Sequence, residues 1–565
     1  MKRQPSVVET PVLIVGAGPI GLSVAMDLAW RGVGCTIVDL GDGSVDLSRG
    51  GMVSARTMEY YRRWGLTRLV PKAGFPQDYK LSMVYCTGLG GHLLEREEYG
   101  SQSEQPRPAE SPEQRTWCPQ LFLDPLVARA LAQHASATML YHHRFESYAE
   151  RPEHIAARVT DTGSGRSLEI RAQYLVAADG AASGIRAMAG IEQEGNPNLG
   201  YSINVYFRAP ELLKRNPMGE AERYILVGPE GTWGNITVVD GRENWRLTVM
   251  AGKEKVDLDA FDSRAAVRRA IADDTIPFEV TAVRPWRRSE LIAKTYRAGR
   301  VFLAGDAAHT MSPTGGFGMN TGVIDAVNLG WKLQAALQGW AGERLLDSYT
   351  VEQRQVAIRN ARASTHNFHL WTALKALCGP ILDETTEGEA ARREVGRRMK
   401  EGLRIEWECL GVQLGYRYED SPICVADGTP PAPDPISEVV QTARPGARAP
   451  HVWLSDGRST LDLFGRGFVL MRLGRKPPDV SAIVEAASER GVPLRVETIA
   501  EPAVADEYEG KLVLVRPDGH SAWRTDAQPK DSCALIDVVR GAGKSPARRR
   551  RQAAAGATAA EELSR

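Results

Sequence analysis

GRVFLAGDAAHTMSPTGGFGMNTGVIDAVNLGWKL, residues 299–333, divides into three parts. The apolar run 301–304 has the length and content of a buried strand and stops at Gly305-Asp306; Pro313, Gly315, Gly316 and Gly318 then interrupt any regular structure. A helix is predicted from about Asn320, and Val323, Ile324, Val327, Leu329, Trp331 and Leu333 make it apolar nearly all round, which predicts burial. A glycine-rich loop feeding a buried helix N-terminus presents backbone N–H groups that no side chain blocks, and the helix dipole favours negative charge there. Asp306, at the strand end, suits the acceptance of hydrogen bonds from sugar or ribityl hydroxyls. The loop therefore fits a ligand with hydroxyls beside a partly anionic ring; the alternative is a corner whose glycines serve packing alone.

Upstream, residues 11–39 read PVLIVGAGPIGLSVAMDLAWRGVGCTIVD. A buried strand runs into Gly16-x-Gly18-x-x-Gly21, a helix follows, and a second strand ends at Asp39. The first glycine permits the tight turn, the second lets backbone approach a pyrophosphate, and the third allows the helix to lie close on the sheet. Asp39 is placed to bond ribose hydroxyls, and an acid there disfavours a 2′-phosphate. An adenine dinucleotide without that phosphate is expected, NAD or FAD.

The chain has 565 residues, 43% hydrophobic and 25% charged, enough for two or three domains. Lys+Arg and Asp+Glu are both 70, so no bulk field argues for nucleic acid or an anionic membrane. No apolar run approaches the roughly 20 residues of a membrane span, and MKRQPSVVET lacks a signal-peptide core, so a cytoplasmic protein is expected. Seven scattered cysteines with no CxxC argue against zinc and dithiol redox sites; no metal site is expected.

Two further features separate FAD from NAD. Residues 174–191, YLVAADGAASGIRAMAGI, resemble the Asp-Gly motif of the single-component flavoprotein aromatic hydroxylases, with Asp179, Gly180, Ser183 and Arg186 at matching places. The run 305–322 is similar to the second FAD-binding motif of the same family, and the three motifs occur in the family's order. The resemblance implies that Asp306 holds the ribityl chain and that the backbone of Gly316, Gly318, Met319 and Asn320 meets the pyrimidine edge of the isoalloxazine. A helix N-terminus there would stabilise the negative charge of reduced flavin. It further implies that Pro313 lies against the ring beside the reacting carbon, and that Arg49 and Gln120 contact the cofactor. The family's usual Pro-Arg-Ala is Ser48-Arg49-Gly50 here, and Arg56 reads equally as a helix-start ion pair with Glu59.

Residues 95–115, EREEYGSQSEQPRPAESPEQR, read as a long surface loop, either gating the site or idle. From about residue 198, alternating strands separated by turn residues predict an antiparallel sheet, which in the resembling family forms the floor of the substrate pocket. Tyr201, Tyr206, Tyr224, Trp233 and Trp245 offer aromatic faces and hydroxyls, with sheet packing the alternative. Tyr201, Tyr224, Trp233 and Arg287 are the expected substrate contacts, Tyr224 also as partner of the substrate hydroxyl, with Arg223 beside it.

Pro430, Pro431, Pro433 and Pro435 mark a stiff boundary. Beyond it come a strand, a helix, a strand and a hairpin turning at Pro517-Asp518-Gly519, an order similar to the thioredoxin-like domain of phenol-hydroxylase-type enzymes, without CxxC; a packing or oligomerisation role, a homodimer included, is expected. The Ala-rich end with Arg548–Arg551 is read as disordered.

The implied architecture is α/β. A Rossmann-type, glutathione-reductase-like FAD-binding domain occupies 1–197 and 286–430, the substrate sheet 198–285, a thioredoxin-like domain 431–540, and a tail 541–565. The implied activity is hydroxylation of a phenolic substrate: NADH or NADPH reduces FAD, O2 adds at flavin C4a, and the hydroperoxide delivers one oxygen to the ring. Phenol, dichlorophenol, phenylpropionate and polyketide hydroxylases are the nearest subclasses. Two alternatives stay open: Baeyer-Villiger-type oxygen insertion on the same scaffold, and a flavin- or aromatic-ligand-binding protein without turnover. Zinc and serine hydrolases are excluded because neither HExxH nor GxSxG appears.

Overall fold

The computed structural model describes residues 6–543. Its first sheet is built on the strand Ser6–Val15, which pairs in parallel with Cys35–Val38 on one side and with Ser167–Ala177 on the other; Val301–Leu303 and Ala137–Leu140 extend the parallel order outward. Val12, Leu13 and Ile14 have no solvent exposure, which is why they read as an unbroken apolar run: helices cover both faces of a parallel sheet. The helix Pro19–Trp30 packs against the helix Phe317–Leu337, the two helices that the glycine motifs introduce. Phe317–Leu337 is buried along nearly its whole length, as its all-round apolarity demands. It starts one turn earlier than the sequence predicts because Gly316, at φ 67°, takes the left-handed conformation and serves as the N-cap.

A second eight-stranded sheet lies beside the first. Its order is His309–Thr310, Glu279–Ala293, Gln193–Arg208, Asn244–Met250, Gly231–Val238, Arg223–Gly228, Met83–Cys86, Leu93–Glu97. The sheet therefore reaches beyond the expected stretch 198–285 and recruits two strands from residues 83–97. That recruitment corrects the reading of 95–115 as a surface loop: Leu93–Glu97 is a paired strand, Ser101 caps the turn Gln102–Glu104, and Ser111 is buried with its hydroxyl donating to Glu59 at 2.7 Å. Part of the polar composition of this segment serves internal hydrogen bonds, at Glu97, Ser101 and Ser111, while Glu98, Ser103, Glu104 and Arg107 stay exposed.

The C-terminal unit holds a four-stranded sheet ordered Leu494–Ile499, Phe468–Leu473, Leu512–Val515, Ser521–Thr525, parallel at the first pair and antiparallel after it. It docks through buried charge. Arg516 is bidentate to Glu352 at 2.6 and 2.9 Å and reaches Asp518 at 2.6 Å, while Lys332, from Phe317–Leu337, donates to Glu352 at 2.6 Å. Arg56 pairs with Glu59 at 2.7 Å, the ion pair foreseen for it, and Arg448 from the C-terminal unit joins the same carboxylate. The proline-rich linker is pinned, with Arg417 donating to the carbonyls of Ala432 and Pro433. Gly541 is not part of a loose tail: Arg344 N–H donates to its carbonyl at 3.0 Å, whereas residues 544–565 lie outside the described residues. Among the described residues, no helix is long and apolar enough to cross a membrane.

Candidate active site

The three glycines of the first motif have separable constraints. Gly16, at φ +105°, would place a Cβ 2.3 Å from the carbonyl oxygen of Ala178, and Gly21 would place one 1.8 Å from that of Gly16. These two positions are closed by the protein's own backbone. Gly18 differs: its φ of −70° suits any residue, and nothing lies within 4 Å of its Cβ position. A glycine without a conformational or packing need leaves room for a ligand that must approach the backbone, as a pyrophosphate does. Asp39 accepts the N–H groups of Ala17 at 2.6 Å and Gly41 at 2.7 Å, which fixes the turn at the expected ribose position.

The other residues expected at the cofactor lie in the neighbouring loops. Asp179 accepts the N–H of Ile185 through one oxygen, while its other oxygen is buried without a protein partner. Gly180 follows at φ +83° with open space around it. Arg186 ties this motif to the other by donating to the carbonyl of Ala307 at 2.9 Å. Asp306 is open to the cleft yet set deep in the protein; desolvation pushes its pKa up, and His309 and Arg49 pull against that. Arg49 is thus near Asp306, and Gln120, first residue of the helix Gln120–Leu131, accepts the N–H of Arg49 at 3.1 Å. Pro313 is exposed at the loop apex, and its carbonyl accepts the N–H of Gly316. No side chain caps the first turn at Phe317, Gly318 and Met319. Asn320 spends its side chain on Ser54 N–H at 2.9 Å and Gly316 O at 2.8 Å, holding the loop against Ser54, the cap of the helix Ala55–Arg63.

Sequence reasoning missed two buried groups beside this loop. Asp325 accepts the N–H of Gly305 at 2.9 Å and pairs with His309 at 2.8 Å; burial opposes charge on the imidazole, but Asp325 holds its pKa above the ordinary value. Glu406 accepts the N–H of Gly315 at 2.9 Å and the indole N–H of Trp371 at 2.6 Å, and Arg223 lies 3.3 Å away. The His309 of the DAAH run was visible in the sequence; nothing local marked Glu406, which comes from the charged helix Thr386–Trp407.

The second sheet presents one polar face to this loop. Asn204, Tyr206, Arg223, Asn235, Thr237, Arg246 and Thr248 share it, because side chains alternate along each strand. Tyr206 donates to the carbonyl of Ser48 at 3.2 Å and Arg246 to that of Arg49 at 2.7 Å, so the face meets the cofactor segment directly. Arg288 is buried on this side, 4.2 Å from the ring centroid of Phe368 and 5.2 Å from that of Trp286; burial lowers its pKa to about 10.

The four expected substrate contacts are corrected. Tyr224 is fully buried on the opposite face, packed 6.4 Å from Trp245, and its hydroxyl donates to Gly219 O at 2.5 Å. Trp233 sits in that same far core with Arg269 stacked over it at 4.1 Å. Arg287 is exposed, and its register partner Tyr201 has the parity of core residues Ile203 and Val205. For Tyr201, Tyr224 and Arg287 the pattern read the strands correctly but chose the wrong parity, and a one-residue step in a strand reverses the face; Trp233 lies at the register shift between Leu226 and Val227, which puts it in the far core although Asn235, two residues on, is on the polar face. Arg223, named beside Tyr224, does face the site.

The fold and the cradle together define a dinucleotide-binding oxidoreductase architecture. The chain matches the family model described as FAD binding domain over residues 9–364 and that described as aromatic-ring hydroxylase, C-terminal, over residues 442–542. It belongs to the FAD-dependent aromatic-ring hydroxylases. It is 32% identical to the tetracenomycin B2 monooxygenase-dioxygenase of Streptomyces olivaceus over 94% of this chain and 98% of that one. Among solved structures it is similar to chromopyrrolic acid-soaked RebC with bound 7-carboxy-K252c, at 39% identity and a TM-score of 0.89, covering 96% of this chain and all of that one. It is also similar to a ternary complex of aklavinone-11 hydroxylase with FAD and aklavinone, at 28% identity and a TM-score of 0.76, covering 94% of this chain and 99% of the other.

Proposed function

We propose that this chain is a monooxygenase that inserts one oxygen atom from O2 into a polycyclic aromatic substrate bearing a phenolate or carboxylate, with NADH or NADPH as electron donor. The observation that carries the substrate class is Arg288. Its guanidinium is buried between two aromatic rings and makes no hydrogen bond to any described residue, with Nε fully enclosed. The Glu406 carboxylate acts on it through space but accepts none of its N–H groups; a buried guanidinium whose N–H groups lack acceptors is costly, and an anionic aromatic ligand that stacks on Trp286 and Phe368 would supply them. Relatives named for tetracenomycin B2, 7-carboxy-K252c and aklavinone support the polycyclic reading, while others are named for the single-ring phenols 2,4-dichlorophenol and phenol, so the comparisons taken together support an aromatic substrate.

FAD, when bound, supplies electron transfer and oxygen activation. The chain's own residues would hold it: Gly16, Gly18 and Gly21 at the pyrophosphate, Asp39 at the ribose, Asp179 and Asp306 at the ribityl and phosphate region, and the uncapped N–H groups of Phe317, Gly318 and Met319 at the anionic edge of the ring. Arg223, Arg246 and Arg288 favour the ionised form of the substrate on the facing sheet, and the apolar layers on both sides limit water. The C-terminal unit, which we read as thioredoxin-like without redox cysteines, braces Phe317–Leu337 through Arg516 and Glu352.

The test is NAD(P)H oxidation by the purified flavoprotein with a panel of simple phenols and of polycyclic aryl carboxylates and phenols, with product analysis. Stimulation many-fold with a hydroxylated polycyclic product supports the reading. Stimulation by simple phenols alone contradicts the substrate class, and bound FAD with no stimulation by any compound contradicts the activity.

A further inference from the structure

A second concavity of about 570 Å³ lies between the FAD-binding unit and the C-terminal unit, within the usual size of small-ligand sites. None of the residues placed above in the cofactor cradle or on the polar face of the sheet lines it. Its walls come from the helix Ala55–Arg63, from residues 67–77 and 102–116, and from the turn carrying Trp453 and Gly457, so it exists only because the two units dock.

The lining is cationic and aromatic. Three arginines, Arg62, Arg68 and Arg107, face it against one carboxylate, Glu113. Arg62 is committed to structure, bidentate to Asp462 at 2.7 and 2.9 Å and bonded to Glu113 at 2.9 Å. Arg68 and Arg107 are exposed and hydrogen-bond to no described residue; Arg107 acts on the Glu113 carboxylate only through space. Trp453 keeps 47% of its surface open although it is held on two sides, by His451 edge-on at 4.8 Å and by Arg62 at 5.9 Å. An indole anchored in this way, left open inside a cleft, is a stacking platform. The amide groups of Gln77 and Gln114 are oriented by donating to the carbonyls of Phe75 and Gln102, which leaves each amide oxygen to accept from a ligand.

A stacking ring, amide acceptors for an exocyclic amine, and two uncommitted guanidinium groups for a phosphate describe the chemistry of an adenine nucleotide. The chain has one GxGxxG, and its cradle is used by FAD, so a second nucleotide must be held by other means. We propose that this interdomain cleft binds an adenine nucleotide, with its base on Trp453 and its phosphate at Arg68 and Arg107. The ligand is either the adenylate end of the nicotinamide coenzyme or a free nucleotide; only the choice between these rests on the NAD(P)H-dependent activity proposed above.

The experiment is calorimetric titration of the FAD-loaded protein with AMP and with 2′,5′-ADP. FAD already fills the dinucleotide cradle, so heat reports another site. Saturable one-site binding, weakened at least tenfold in Arg68→Glu/Arg107→Glu and again in Trp453→Ala at unchanged FAD content, is the expected result. No saturable binding, or an unchanged affinity in both variants, overturns the site. A parallel tenfold rise in the coenzyme concentration that half-saturates flavin reduction identifies the coenzyme as the ligand; an unchanged value with AMP binding lost identifies a free nucleotide. Because the first titration needs no turnover, failure of the site is distinguishable from failure of the proposed activity.

Discussion

The carboxylate of Glu406 accepts the backbone N–H of Gly315 at 2.9 Å, joining the charged helix Thr386–Trp407 to the glycine loop that precedes Phe317–Leu337. Gly315 and Gly316 both have left-handed backbone, at φ +85° and +67°, and the hydrogen bond fixes the first of them. Through Trp371 and Arg223 the same carboxylate couples the loop to the polar face of the second sheet. The glycine loop and the polar face of the second sheet thus share one buried group.

Removing that group should be costly. Glu406→Ala strips the partner from Gly315 N–H and Trp371 and leaves Arg223 short of its counter-charge, so a loss of about 3–5 kcal/mol is expected. Glu406→Gln retains one acceptor and should lose about half of that or less. Thermal unfolding of both variants in the FAD-loaded state checks the order; equal losses would show that the charge, not the hydrogen bond, matters.

Gly18→Val and Gly21→Ala should fail in different ways. The Gly18 position has an ordinary φ and no neighbour within 4 Å, so its valine variant should fold and lose FAD. At Gly21 an added Cβ meets Gly16 O at 1.8 Å, and the sheet and helix cannot both keep their places. The flavin absorbance ratio, together with circular dichroism, separates a folded apo protein from a misfolded one. A Gly18→Val protein that retains full flavin removes the pyrophosphate assignment.

Asp306→Ala should weaken FAD binding by about 1–3 kcal/mol if the carboxylate holds ribityl hydroxyls. Fluorescence of released FAD on dilution measures this directly. Affinity equal to wild type would reassign Asp306 to balancing His309 and Arg49, the charges that act on it.

Neighbouring residues of one strand give opposite expectations. Arg288→Met should raise the half-saturating concentration of an anionic aromatic substrate about 10- to 100-fold, as expected for losing a charge-assisted bond of about 1.5–3 kcal/mol. Arg287→Ala, exposed, should change it little. Tyr224→Phe belongs with Arg287: it loses the hydrogen bond to Gly219 O and about 0.5–1.5 kcal/mol of stability, and coupling of NAD(P)H oxidation to product should stay intact. A large change at Arg287 with none at Arg288 would invert the assignment of the sheet's faces.

Acid should separate the C-terminal unit. Burial alone would raise the pKa of Glu59 and Glu352, but Arg448 and Arg56 at the first and Arg516 and Lys332 at the second bring each from 4.5 down to about 2. Both carboxylates are fully buried, so each contributes about 3 kcal/mol of stability above pH 4.5 that is lost as the pH falls toward 2. Melting temperature against pH should fall steeply below 4.5, and in Glu352→Gln more shallowly from a lower starting value. A flat profile in the wild type would place these ion pairs outside the stability of the fold.

The cofactor strands and helices were legible in the sequence because their signals are local. Glycine spacing, an unbroken apolar run and a terminal acid lie within about 30 residues of one another, and a parallel sheet covered on both faces leaves no choice of side. The C-terminal hairpin was legible for the same reason, since Pro517-Asp518-Gly519 carries its own turn chemistry and Gly519 takes φ +85°. The substrate face was not. Alternation with period two looks the same from either side, so Tyr224 against Arg223, or Arg287 against Arg288, is decided only by what packs on each face of the sheet. Glu406, the buried Glu352–Arg516 network and the interdomain cleft depend on residues far apart in the chain, brought together by docking of helices and units. Sequence determined the glycine cradle, whose geometry is set by neighbouring residues; the tertiary structure decided which side chains of the second sheet face the glycine loop, because burial is a property of the assembled layers.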